Sequence, residues 1–258
     1  MVFGVVETIK PLVFQLERNA WESDFFAMEI AKLQFNENIQ TALLQDRTAL
    51  LQNQSAVLQN QSAVFGDFDL VQCKVTADQI EPIRQLQQLG FQFVEGEADF
   101  CLPVVAIKDE EVELEIAESA DIAELETLFG EAFLNSRFRQ PWFNAEQNRT
   151  FYRTWIRKAV LGQFDHLCLL QKDSEGRIQG AVSLRSLDAD NARVGLLAVA
   201  EHARGKGVAK RLVKSAVNWS ARQQHKQLWI ATQTGNQAAI NLYQKQGRIE
   251  RISYWFYR

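Results

Sequence analysis

The sequence predicts an α/β protein: a mixed, mostly antiparallel central sheet flanked by helices, preceded by a smaller α/β N-terminal domain. Three observations predict it. From residue 109 onward the hydrophobic pattern reads helix, helix, three strands, helix, strand, helix, strand, an antiparallel meander followed by α/β crossovers. The composition, 47% hydrophobic and 23% charged over 258 residues, suits a soluble globular protein of one to two domains and is too apolar for disorder. The N-terminal part also closes on a faint echo of the C-terminal end. A helix through IRQLQQL stops at Gly90 and leads into FQFVEGEADFCL, as a helix through NLYQKQ stops at Gly247. Domains are expected at 1–108 and 109–258, the first a degenerate relative of the second.

In chain order the first irregularity is a set of three heptads, LQDRTAL (44–50), LQNQSAV (51–57) and LQNQSAV (58–64). A coiled coil needs apolar positions alternately three and four apart. Here they sit as neighbours, Ala56-Val57-Leu58 and Ala63-Val64-Phe65, so the segment reads as a tandem expansion outside the chemistry, either a weak helix or a mobile insertion. Asp121 followed by Glu124 resembles a capping box, and Ile122, Leu125, Leu128, Phe129 and Phe133 then recur at helical spacing. A second helix runs through FYRTWIRKAVL to Gly162. HLCLLQK, IQGAVSLRSL and ARVGLLAVA are strand-like, with turns at 173–176 and 190–191. A loop at 204–207 opens a helix ending near Gln224. Then come the strand QLWIATQT, a helix after Asn236, and the strand RISYWFYR.

Formal net charge is -4, which argues against blanket nucleic-acid or membrane-surface binding. The charge is unevenly placed. Residues 109–131 hold many carboxylates and no Lys or Arg, the outer face of one helix and its lead-in. Residues 202–249 hold Arg204, Lys206, Lys210, Arg211, Lys214, Arg222, Lys226, Lys245 and Arg248, and no Asp or Glu. An acidic chain with one basic segment is expected to hold a local anion there. Cys73, Cys101 and Cys168 form no CxxC pair and no even disulfide set, and read as buried reduced thiols. No apolar run approaches the roughly 18 residues of a membrane helix, and MVFGVVETIK lacks the marks of a signal peptide, so a cytoplasmic protein is expected.

The most informative stretch is the strand 194–200 followed by Arg204-Gly205-Lys206-Gly207-Val208-Ala209. Gly205 and Gly207 let backbone N–H groups approach an anion with no side chain intervening, and the following helix adds its positive end. Arg204, Lys206, Lys210 and Arg211 add full charges; a diphosphate is the natural guest. The plain alternative is an ordinary strand-to-helix turn with a solvated basic helix. It is neither a Walker loop, since no GK[ST] closes it, nor a dinucleotide fingerprint, since the G-x-G-x-x-G spacing is absent.

This R-x-x-G-x-A loop and the order of elements over about 111–258 resemble the GNAT superfamily of N-acetyltransferases. The resemblance implies the GNAT fold, acetyl-coenzyme A as co-substrate and no metal. It implies that Leu197, Ala198 and Val199, on a strand splayed from its neighbour, offer backbone groups to the pantetheine arm. Arg204, Gly205, Lys206, Gly207, Val208 and Ala209 would cradle the pyrophosphate, Asn236 would contact the cofactor, and Tyr243 would protonate the departing thiolate. The chemistry is sound on its own terms. A neutral amine attacks the thioester carbonyl, backbone N–H groups stabilise the oxyanion, and coenzyme A leaves. A thiol near pKa 8.5 and a tyrosine near 10 make full proton transfer uphill by roughly 2 kcal/mol, tolerable if coupled to departure. The alternative for Tyr243 is an aromatic on the inner face of its helix. The N-terminal half has Leu86 four before Gly90 and no such loop, so it carries no cofactor site.

Within the superfamily, SRFRQPWF (136–143), YRTWIRKAVLGQFDHLCL (152–169), ATQTGNQAAINLYQKQG (231–247), WESDFFA and GFQFVEGEADFCLPV resemble the bacterial TDP-fucosamine acetyltransferases. These acetylate the 4-amino group of dTDP-4-amino-4,6-dideoxy-D-galactose for cell-surface polysaccharide of the enterobacterial common antigen type. The resemblance implies a dTDP-aminosugar partner. A homodimer is also expected, and, from the charge and the apolar runs, no nucleic-acid or membrane partner. The chain departs from the pattern in the heptads, in a longer link at 200–203, and in Leu242 where an arginine would reach phosphate. Arg137 and Arg139 beside Trp142 and Phe143 suit a nucleotide diphosphate and a stacked base; the alternative is a loop whose aromatics close the core. His166, at a strand start, is a candidate base, with a core or surface histidine as the alternative. Another GNAT activity on a different aminosugar nucleotide or small amine, and a non-enzymatic acyl-coenzyme A binder, stay open.

Overall fold

The structure, a computed structural model, describes residues 14–35, 64–105 and 114–258. The heptads apart from Val64, and residues 109–113 of the acidic block, lie outside them. In chain order the described elements begin β1 (Phe14–Arg18), α1 (Ala20–Phe26), β2 (Ile30–Phe35), β3 (Leu70–Thr76), α2 (Ile80–Gln88), β4 (Gln92–Pro103) and β5 (Glu115–Ile116). There follow α3 (Ile122–Ala132), α4 (Ala145–Val160), β6 (Leu167–Lys172), β7 (Ile178–Ser186) and β8 (Asn191–Val199). The last four are α5 (Val208–Arg222), β9 (Gln227–Gln233), α6 (Gln237–Tyr243) and β10 (Arg248–Tyr257).

Contacts divide the described residues into two compact units, those up to Glu95 with Ser253–Arg258, and those within Gly96–Ile252. In the first, β1 and β2 are antiparallel, β2 runs parallel to β3, and β3 pairs antiparallel with residues 253–257. Leu33, Val71, Val75, Leu86, Phe91 and Phe256 fill its core. This division falls before the boundary expected at 108. Residues 97–103 of β4 pair antiparallel with the whole of β9, and these long-range backbone bonds group them with the C-terminal elements.

The second unit is the mixed, mostly antiparallel sheet the pattern predicts, in the order β4-β9-β8-β7-β6-β5. Among the described residues of this unit only β8 and β9 are parallel; the other neighbours are antiparallel. α5 covers one face with Val208, Leu212, Val213, Ala216 and Val217, packed with Val182, Leu184, Leu228 and Ile230. The acidic face of α3 meets the arginines of α4: Arg157 bonds Glu126 at 2.6 Å and Arg149 bonds Glu131 at 2.9 Å. The expected capping box lies one turn earlier, between Glu118 and Asp121. Glu124 instead accepts the Ile178 N–H at 2.8 Å, tying α3 to the start of β7. α4 begins before the apolar run that announced it, because Asn144 and Gln147 form a capping box.

Candidate active site

β8 carries two unequal ladders. With β7 it pairs from Ala192 to Val199, whereas with β9 only Asn191, Ala192 and Arg193 pair, opposite Gln227, Leu228 and Trp229. From Val194 on, the β9-facing edge of β8 is unpaired among the described residues, and its N–H and C=O groups are open to a ligand. The β7 ladder has one extra residue in β8, for Val182 lies opposite Leu197 and Leu184 opposite Val194. The packing records this bulge at Gly195 and Leu196. Ala192 and Val194 face the α5 core, but so do Leu197 and Val199. A regular strand would have put residues 196 and 198 there. The bulge therefore inverts the alternation just where the edge becomes free.

Past β8 the chain makes a 3-10 turn over Glu201–Ala203, and Arg204 is extended. Gly205 follows at φ +75° and Gly207 at φ +77°, both in the left-handed region that favours glycine. Gly207 is the N-cap of α5, no side chain caps the helix, and its first turn has no acid. The first N–H groups of α5 thus lack helical partners, and its positive end has no built-in anion. Among the described residues other than its two chain neighbours, no atom lies within 4 Å of where a Cβ on Gly205 would stand. Arg204 and Lys206 are exposed, Val208 is anchored in the core and Ala209 is half-buried. These residues fit an anionic group. Arg211 plays another part than the one expected of it. Its Nε donates to Gln171 Oε1 at 2.9 Å and its Nη1 to the Lys206 carbonyl at 3.0 Å, so it braces the loop against β6.

Asn236 caps α6, its Oδ1 accepting the Ala239 N–H at 3.2 Å. Tyr243 is buried, its ring edge-on to Phe100 with centroids 5.5 Å apart. Burial pushes its hydroxyl above the ordinary tyrosine range, because the phenolate would lose its solvation. The Tyr243 carbonyl accepts the Gly247 N–H at 2.9 Å. A Cβ on Gly247 would overlap the Cys101 carbonyl, so only glycine passes β4 there. Leu197, Val199, Val208 and Tyr243 meet in one core, which gathers the strand edge, the loop and α6.

The loop between α3 and α4 is tied to the end of β9, for Gln233 Nε2 donates to the Asn135 carbonyl at 3.1 Å. On it the Arg137 guanidinium lies 3.9 Å above the Phe138 ring, and Trp142 is half-buried. Arg139 Nη1 donates to the Asn135 and Ser136 carbonyls at 3.0 and 2.9 Å, closing the turn. Phe143 corrects the stacking expectation. It is 1% exposed and edge-on to Phe138 at 5.3 Å, a core residue with no open face for a base. His166 is exposed and immediately precedes β6. Its Nδ1 accepts the Ser186 N–H at 3.3 Å, and Ser186 lies opposite Ala192, where β8 and β9 are still joined.

Two residues the sequence reading passed over lie under the bulge. Asp165, whose side chain is fully buried, accepts Ser183 Oγ–H at 2.6 Å, Trp155 Nε1–H at 3.0 Å and Arg185 Nη1–H at 2.7 Å. Ser183 Oγ in turn accepts the Leu196 N–H at 2.9 Å. The available signal was Gly195, a glycine inside an apolar strand run, which marks a bulge or a close approach.

The sequence profile of the acetyltransferase (GNAT) family matches residues 125–247. The dTDP-fucosamine acetyltransferase of Escherichia coli O6:H1 is 42% identical over 189 residues, 73% of this chain and 81% of that one. A GCN5-related N-acetyltransferase from Sphaerobacter thermophilus superposes with a TM-score of 0.56 at 14% identity, over 95% of this chain and 75% of that one. A GNAT-family acetyltransferase from Colwellia psychrerythraea gives 0.54 at 17% identity, over 88% and 78%. At such identities the two structures speak for the fold alone.

Proposed function

As a member of the GNAT acetyltransferase family, the chain is an acetyltransferase, and we propose that it acetylates the 4-amino group of dTDP-4-amino-4,6-dideoxy-D-galactose. The observation that carries the reading is the 42% identity, over 73% of the chain, to a dTDP-fucosamine acetyltransferase. The open edge of β8, running into an uncapped helix, supports it.

Acetyl-coenzyme A supplies the activated acetyl thioester. Arg204, Gly205, Lys206, Gly207, Val208 and Ala209 bind its pyrophosphate, through backbone N–H groups and two cations. With Leu242 at the position an arginine would take, Arg204 and Lys206 carry that charge. Leu197, Ala198 and Val199 present backbone groups that align the pantetheine arm and polarise the thioester carbonyl. Asn236 supports the cofactor from the start of α6. Tyr243 holds a proton for the departing sulfur. Its raised pKa keeps the hydroxyl protonated across the neutral range. The same shift makes complete transfer more uphill than the ~1.5 units between an ordinary thiol and tyrosine. Tyr243 therefore acts by hydrogen bonding, its proton moving as charge builds on sulfur.

Arg137 and Trp142, on the loop that Gln233 ties to β9, orient the nucleotide diphosphate, with Arg139 shaping the turn. No side chain is assigned as base; water carries the amine proton to solvent. A cytoplasmic homodimer serving cell-surface polysaccharide synthesis completes the proposal. The test is thiol release from acetyl-coenzyme A against a panel of dTDP-aminosugars and simple amines. Turnover with the 4-amino-4,6-dideoxy sugar nucleotide supports the reading. Turnover with simple amines alone overturns the substrate, and tight cofactor binding without any turnover would mean a binding protein.

A further inference from the structure

We propose that Asp165 and Ser183 are positioning residues, which hold the β8 bulge and so set which backbone groups of β8 face its free edge. The inference rests on the acetyl-transfer reading for its consequence, but its geometry is independent of any ligand. Ser183 stands on β7 opposite Gly195 and Leu196, the two residues that break the ladder. Its Oγ takes the Leu196 N–H at 2.9 Å, a bond that a β7 carbonyl would take in a regular pair. The Ser183 hydroxyl has only one direction for its proton, toward Asp165 Oδ2 at 2.6 Å, and so it faces Leu196 as an acceptor.

Asp165 cannot swing away. Trp155 Nε1 at 3.0 Å shares Oδ2, and Arg185 Nη1 holds Oδ1 at 2.7 Å. The Arg185 guanidinium is itself stacked 4.9 Å over Phe164. A Cβ on Gly195 would strike Asp165 Oδ2 and lie 2.7 Å from Ser183 Oγ, so the acid fills the space the glycine leaves. Packing alone does not require this arrangement. An apolar group of the same volume would fill a buried site at least as well as a carboxylate. What the carboxylate adds is direction: it fixes the serine, and the serine fixes the extra residue.

The consequence follows from the pleat. One inserted residue inverts the in-and-out alternation, as Leu197 and Val199 show by facing the core that Ala192 and Val194 also face. It equally inverts which N–H and C=O groups point toward β9. Without the clamp the strand is free to relax to a regular ladder, and the groups aimed at the thioester carbonyl turn away.

Ser183→Ala removes the hydroxyl at no cost in volume, and three readouts test it. In the ligand-free protein, hydrogen exchange of the Leu196 amide should rise at least about tenfold while other β7–β8 amides keep their protection. With acetyl-coenzyme A labelled with carbon-13 at the thioester carbonyl, the bound carbonyl stretch should move toward its value in water. kcat should fall about ten- to a hundredfold, with coenzyme A affinity within about twofold of wild type. Asp165→Asn, which cannot accept from all three donors, should move the same readouts the same way. Unchanged Leu196 exchange or an unchanged carbonyl stretch in both variants would overturn the clamp. Loss of coenzyme A binding together with general loss of protection would also overturn it, by showing that the pair holds the fold and not the bulge. Failure of the wild-type protein to bind acetyl-coenzyme A would instead remove the acetyl-transfer reading, and with it the role given to the bulge.

Discussion

Replacing Gly205 by alanine separates a phosphate cradle from an ordinary turn, because the structure predicts opposite sizes for two effects. Gly205 sits at φ +75° with nothing within 4 Å of its absent Cβ. Alanine there meets no clash, and its only cost to the fold is the left-handed backbone, about 1–2 kcal/mol. For a chain of this length each kcal/mol lowers Tm by about 2–4 °C, so a fall of a few degrees is expected. Binding should suffer more. The methyl group stands where an anion must approach backbone N–H groups, and lengthening those contacts should weaken coenzyme A binding by about tenfold or more, some 1.4 kcal/mol. Isothermal titration with coenzyme A, beside a thermal melt, reads both. Wild-type affinity at a slightly lowered Tm would refute the cradle. A fall in Tm beyond about 10 °C would refute it as well, by making Gly205 a residue of the fold.

Other consequences can be checked separately. Tyr243→Phe should lower kcat about a hundredfold while coenzyme A affinity stays within about twofold, since only the hydroxyl is lost. The protonated Tyr243 is the active form, so activity is lost as pH rises through its pKa. Burial moves that loss upward, and kcat of the wild type should not decline between pH 7 and about 10, where an ordinary tyrosine titrates; a decline near pH 9 would contradict the assignment. Arg137→Ala should raise KM for the sugar nucleotide about tenfold and leave coenzyme A affinity intact, whereas an equal loss in both would contradict the placement of the acceptor loop. Burial pushes the Cys73 and Cys168 thiols up to about 12. Native protein should therefore react slowly with disulfide reagents at pH 8 and at once when unfolded; fast reaction of these two in the native state would contradict their burial.

The glycine loop and the helix it opens were legible in the sequence because everything they need is contiguous. Strand, two glycines and helix start follow one another between Val194 and Ala209, and short-range backbone preference decides them. The helices were legible for the same reason, since the apolar period of α3 is local. What escaped the sequence depends on residues far apart. The pairing of 97–103 with β9 is settled by long-range register, and no pattern near residue 108 announces it. Phe143 and Trp142 look alike in the string, but one is closed in by Phe138 and the other reaches partway to solvent. His166 precedes β6 much as read, but its bond to the Ser186 N–H depends on the β6–β7 register, which no local pattern announces. Gly195 carried a readable mark, a glycine in an otherwise apolar strand. Its partners Asp165 and Ser183 come from two other segments, and no spacing connects them.

The central claim is that this chain moves acetyl from acetyl-coenzyme A onto a 4-amino-4,6-dideoxyhexose carried by dTDP. Thiol release measured with purified dTDP-4-amino-4,6-dideoxy-D-galactose, with its 4-epimer and with the unlinked aminosugar as comparisons, tests it most directly. Saturable release is expected with the first, matched by one equivalent of 4-acetamido product, with kcat/KM at least about tenfold lower for the aminosugar without its nucleotide diphosphate. Equal turnover with and without the dTDP group, or none with any aminosugar nucleotide, would contradict it.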